Sequence, residues 1–169
     1  MIQTIFARFG WFFLLLALQV FVFNHVHILG IATPMPYFYF LLILSADTPR
    51  WLYVLLGFVM GFLIDLFAGT PGVAAGAMTF AGFAAPWILR VFLPSDRDDD
   101  SLMPSVKAME WSGFLKIAAI MSLLHCTVFF LLECFSFFDT ALLLMNIAGS
   151  TLITFLMAIA IELIRSKVS

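Results

Sequence analysis

The sequence predicts an all-α fold: a polytopic membrane protein built as a six-transmembrane-helix bundle. Three observations predict it. Hydrophobic residues make up 64% of the 169 and charged residues only 11%, with a mean hydropathy of +1.13. A soluble domain covers its surface with roughly a quarter charged residues, so composition excludes one. The apolar stretches are nearly continuous, which argues against alternating outer-membrane strands. Finally, six crossings place all eight Lys and Arg residues on one side of a membrane.

The first segment runs from about Phe9 to His27, with an apolar body from Trp11 to Phe23 interrupted only by Gln19. Arg8 precedes it, as in a secretory signal, but no small-residue cleavage site follows; it reads as a retained span. Asn24, His25 and His27 suit an interface, and Gly30, Pro34 and Pro36 break the pattern. Tyr37 to Ala46 is the weakest span. About ten residues of regular helix cover only about 15 Å of a hydrocarbon core of about 30 Å. It reads as an irregular or kinked crossing that begins near Ile28, with a re-entrant segment as the alternative.

The third span is Trp51 to Phe67, opened by Pro49 and Arg50, and the fourth is Val73 to Phe92. Between them lies the tight Gly69-Thr70-Pro71-Gly72 connection, and Pro86 kinks the fourth span without ending it. Residues 94–110, with Asp96-Arg97-Asp98-Asp99-Asp100, form a polar cytoplasmic loop, with a short interfacial helix near Met109 and Trp111. The fifth span runs from Gly113 to Leu132 and the sixth from Thr140 to Ile164. The chain, 1–169, reads as a single membrane domain.

With the N-terminus inside, Arg8, Arg50, Arg90, Arg97, Lys107, Lys116, Arg165 and Lys167 all fall on the cytoplasmic side. Removing the second span would put Arg50 on the wrong side. Both termini are therefore expected in the cytoplasm. The formal net charge of −2 supplies no basic field for nucleic acid.

Gly57, Gly61, Asp65 and Gly69 recur every four residues, so they form one slowly winding stripe on a helix. Glycines let a neighbouring backbone approach, and the next helix offers Gly72, Ala74, Ala75, Gly76 and Ala77. The glycines, with Pro71, are expected to serve helix packing and the turn. Leucine at Gly61 should disturb the packing and alanine should be milder. Asp65 lies near the outer end and is expected to lock the turn through the Thr70 region, with transport or partner binding as the alternative.

Gln19, His125 and Asn146 are candidates for polar contacts inside the bundle. His125 has no second ligand at metal-binding spacing, so it reads as a packing histidine, and no metal or cofactor is expected. Glu133 and Asp139 bracket the last outside loop and are expected to face water. Glu162 should be offset by Arg165 and lipid headgroups. Cys126 and Cys134 would stand about 12 Å apart along a helix, too far for a disulfide. Ser122 and His125 show no oriented triad, and no phosphate or dinucleotide motif is present, so no enzymatic activity is expected. No polar intramembrane pocket is readable.

The run Gly57-Phe58-Val59-Met60-Gly61-Phe62-Leu63-Ile64-Asp65, followed by Leu66-Phe67-Ala68-Gly69-Thr70-Pro71-Gly72, resembles the MreD family of rod-shape-determining proteins, particularly a Bacteroidetes form. Gln19 and the Pro34-to-Pro36 region also look like that family's opening, and the resemblance covers almost the full length. It implies a noncatalytic component of the cell-wall elongation machinery in the bacterial cytoplasmic membrane. Its implied partners are MreC, the MreB filament and membrane-bound peptidoglycan synthases, besides membrane lipids. The family also resembles the membrane-embedded substrate-binding subunits of energy-coupling-factor vitamin transporters. A small-molecule uptake subunit is therefore the alternative. The acidic loop from Asp96 to Asp100 is no marker of the family.

Overall fold

The computed structural model describes residues 2–26, 32–45, 48–92, 106–134 and 140–168. The expected features at His27, Gly30, Asp96 to Asp100 and Asp139 lie outside the described residues. The chain is a multi-pass, all-α membrane protein. Among the described residues six α-helices follow in order: α1 (Ile2–Phe21), α2 (Phe40–Ile43), α3 (Arg50–Ala68), α4 (Val73–Phe92), α5 (Val106–Glu133) and α6 (Thr140–Val168). All except α2 are long and apolar enough to cross a membrane. Large side chains such as Phe9, Phe13, Phe62 and Phe83 are exposed on their outer faces, as lipid requires and water would not tolerate.

Several bounds differ from those expected. The first helix begins at Ile2 and the sixth reaches Val168, because amphipathic ends add turns beyond the apolar window. Helix α5 begins at Val106, inside the stretch expected to be loop, and breaks at Glu110, whose backbone is non-helical at φ 62. The short helical piece before that break stands where an interfacial helix was expected. Helix α4 continues through the buried Pro86.

Helices α1 and α3 run in the same direction. Arg8 and Phe9 share a groove with Pro49 and Leu52, whereas Gln19 and Asn24 share a cavity with Phe67 and Ala68. The chain between them must therefore return across the bundle, and residues 32–45 lie along that return. A regular helix over 32–45 would be only about 21 Å long, short of a membrane core of about 30 Å. The chain makes up length by leaving the helix. The Thr33 and Met35 amides reach Ser150 Oγ at 2.9 Å and Thr154 Oγ1 at 3.1 Å. Four residues of α6 rise about 6 Å, so these two advance about 3 Å each, as extended chain does. A 3-10 turn over Pro36–Tyr39 and the single turn of α2 follow.

Non-helical backbone survives at membrane depth only when protein satisfies it. Here nearly every residue from Ala32 to Ser45 is buried. Ser150 and Thr154 accept its amide protons, and the Tyr53 hydroxyl lies 3.0 Å from the Ser45 carbonyl and 3.2 Å from that of Leu44. Phe40 packs edge-on against Phe12 of α1 at 5.1 Å. The interrupted segment is thus the centre of the bundle, and α1, α3, α4, α5 and α6 surround it.

Candidate functional site

Helices α3 and α4 form an antiparallel hairpin held backbone to backbone. A Cβ added at Gly57 would stand 2.6 Å from the Met78 carbonyl oxygen, and one at Gly82 would stand 2.6 Å from that of Tyr53. At Gly61 the same atom would meet the Ala74 carbonyl and the Ala75 Cα, the latter at 2.6 Å. Each step of four residues along α3 matches four residues back along α4, so Tyr53, Gly57 and Gly61 face Gly82, Met78 and Ala74. The register keeps the helices close over more than two turns.

Asp65 continues that stripe by one turn and closes the hairpin. Its Oδ1 accepts from the Thr70 hydroxyl at 2.6 Å and the Ala74 amide at 2.9 Å, and Oδ2 accepts from the Ala75 amide at 2.8 Å. These two amides belong to the first turn of α4, where no intrahelical acceptor exists. The carboxylate therefore caps α4 from the preceding helix and sits at the positive end of its dipole. The Asp65 backbone carbonyl also accepts from Gly69 at 2.9 Å and Thr70 at 3.2 Å. One residue ties the end of α3 to the start of α4, which offsets the cost of a carboxylate only 5% exposed.

The remaining glycines separate into two roles. Gly69 and Gly72 have φ of 70° and 81°, and a side chain on either would meet open space. They turn the chain rather than pack it. Gly76, expected against the third helix, instead faces Leu132 of α5, whose Cδ1 would be 2.8 Å from an added Cβ. Gly82 occupies the place expected for it. The reason is rotational: four residues along α4 from Gly72 reach a different face from the one Ala74 and Met78 present to α3.

Beside the hairpin a cavity of about 300 Å³ opens at the end where α1, α3 and α5 finish. Gln19, Asn24, Thr33, Thr70 and Glu133 line it, with Tyr37 among its inner walls. Gln19 is 2% exposed; its Nε2 donates to Asn24 Oδ1 at 2.9 Å, and its Oε1 has no partner. Below, the Tyr37 hydroxyl and His125 Nε2 are hydrogen-bonded at 3.0 Å. The pocket is not readable in the sequence because its polar atoms come from four separated stretches, at Gln19 to His25, Thr33 to Tyr37, Thr70 and Glu133. Asn146 is not part of it; its Oδ1 is buried without a hydrogen bond.

At the opposite end Glu162 is 1% exposed, paired with Arg165 at 2.9 Å and accepting from the Tyr39 hydroxyl. Tyr39, rather than the lipid headgroups expected there, takes the second share of its charge, because Glu162 points inward. The three tyrosines, Tyr37, Tyr39 and Tyr53, are all buried with their hydroxyls on polar partners. The signal for them was present: the chain uses Phe 21 times and Tyr three times. A hydroxyl kept in so apolar a chain marks a partner.

The side chains most able to do chemistry are held by near partners. Every Asp65 oxygen is engaged by a donor. Ser122 bonds back to the Ala119 carbonyl at 3.0 Å rather than to His125. Cys126 Sγ lies 3.9 Å from Thr154 Oγ1. Among the described residues no three His, Cys, Asp or Glu side chains gather as metal ligands. No family model, curated protein or solved structure matches the chain.

Proposed function

We propose that this chain is a noncatalytic component of the bacterial cell-wall elongation complex, one that maintains rod shape by organising MreC, MreB and peptidoglycan synthases. The observation that carries this reading is the Asp65 hairpin. The residues on which the MreD resemblance rests, Gly57 to Gly72, form one rigid construction whose carboxylate is saturated by hydrogen bonds. A membrane protein whose buried Asp65 carboxylate serves architecture is built to present surfaces. The chain lies in the cytoplasmic membrane with both termini inside. Supporting this, Arg8, Arg50, Arg90, Arg165 and Lys167 belong to the helix ends gathered on one side of the bundle. Affinity purification from native membranes tests the proposal: MreC and a wall synthase should be recovered with the chain. Recovery of neither, at normal membrane levels, would count against it.

One observation favours the uptake alternative. The cavity beneath Gln19 has the polarity and enclosure of a small-molecule site, at the small end of the usual range. Co-purification of transporter ATPases in place of MreC would select that reading.

A further inference from the structure

We propose that the groove between α1 and α3 seats an anionic phospholipid, with the phosphate on Arg8 and an acyl chain lying between the helices. This does not rest on the function proposed above. The groove holds about 800 Å³ and is amphipathic along its length. Arg8 and Thr48 stand at one end, and Phe13, Leu56 and Leu63 carry the wall towards the middle of the bundle. It exists because α2 is a single turn, which leaves α1 and α3 unsupported by a long helix between them.

Arg8 identifies the occupant. Its Nε is buried and has no hydrogen-bond partner. Two other arginines at this end are already engaged: Arg50 lies 4.5 Å over the Trp87 ring, and Arg165 pairs with Glu162 at 2.9 Å. A guanidinium donor without an acceptor at a membrane boundary is costly, and a phosphate accepts from its planar fork in a bidentate manner. Inorganic phosphate would leave the apolar trough empty. A phospholipid supplies both parts, the anion at headgroup level and the chain below. Lipid tails are as apolar as the Leu and Phe side chains they would meet, so the chain confers shape and the headgroup confers selectivity.

The test uses the purified full-length protein in detergent with equal amounts of phosphatidylglycerol and phosphatidylcholine, read by native mass spectrometry. The wild type should retain phosphatidylglycerol about fivefold in preference, the factor expected for one basic residue near an anionic lipid. Arg8→Gln should remove the preference, whereas Arg90→Gln, at the same end but outside the groove, should leave it intact. Leu56→Trp, which fills the trough, should lower total bound lipid while Arg8 remains. Thermal unfolding of each variant checks that it is folded. Equal retention of both lipids by the wild type, or loss of preference in Arg90→Gln as large as in Arg8→Gln, would overturn the proposal. So would recovery of a polyprenyl phosphate or a protein segment in the groove in place of phospholipid.

Discussion

Replacing Gly61 by alanine adds one methyl group where α3 and α4 touch backbone to backbone. The new carbon would stand 2.6 Å from both the Ala74 carbonyl carbon and the Ala75 Cα. Carbon atoms rest at about 3.5–4.0 Å, so the helices must separate by about 1 Å. Overpacking costs about 1–3 kcal/mol, and backbone atoms, which cannot rotate aside, put this site near 3. Helix propensity returns about 1 kcal/mol. The net loss is about 2 kcal/mol, or about 4–8 °C in thermal midpoint for a chain of this size. Alanine therefore carries a real cost at Gly61, and leucine, with more bulk on the same backbone contact, should cost more. The assay is thermal unfolding of purified variants in one detergent. Gly82→Ala should resemble Gly61→Ala, since it meets the Tyr53 carbonyl at 2.6 Å. Gly76→Ala should cost less, because the Leu132 methyl can turn away. Gly10→Ala, with nothing within 4 Å, should be neutral or slightly stabilising. A Gly61→Ala protein melting with Gly10→Ala would refute the backbone contact.

Asp65→Leu leaves the Ala74 and Ala75 amides without an acceptor, at about 1–3 kcal/mol each. Asp65→Asn keeps one acceptor oxygen and should lose about half as much, with more function retained at matched membrane levels. Equal thermal losses for the two variants would contradict this cap. The Ser150→Ala, Thr154→Ala double variant orphans the Thr33 and Met35 amides and should destabilise by about 2 kcal/mol or more, whereas Ser150→Thr should be tolerated; unfolding midpoints decide. In a cysteine-free background, single cysteines at Ser136, Ser101 and Ser166 should label from outside sealed cells only at Ser136. External labelling at Ser101 or Ser166 would reverse the orientation.

The long helices were legible because membrane spans announce themselves by continuous apolarity, and the stripe from Gly57 to Asp65 was legible because its four-residue spacing fixes a helix face. Which glycine meets which helix was not, since that depends on how α4 is rotated about its own axis, and Gly76 and Gly82 lie about 120° apart around it. The second crossing was recognisable from the need to return Arg50 to its side. Its bracing by Ser150, Thr154 and Tyr53 was hidden, because these partners lie far away in sequence and are individually ordinary. The same holds for the cavity at Gln19, which no single segment reveals. Glu162 shows the limit in another form: sequence placed it near Arg165, but only its inward rotation brings Tyr39 to it.

The most direct test of action by assembly depletes the protein from its native cells and follows cell shape together with insertion of new peptidoglycan. Rods should round up as insertion loses its organisation, and re-expressed wild type should restore both. Unchanged shape and wall insertion, accompanied by lost uptake of a small nutrient, would contradict the assembly role.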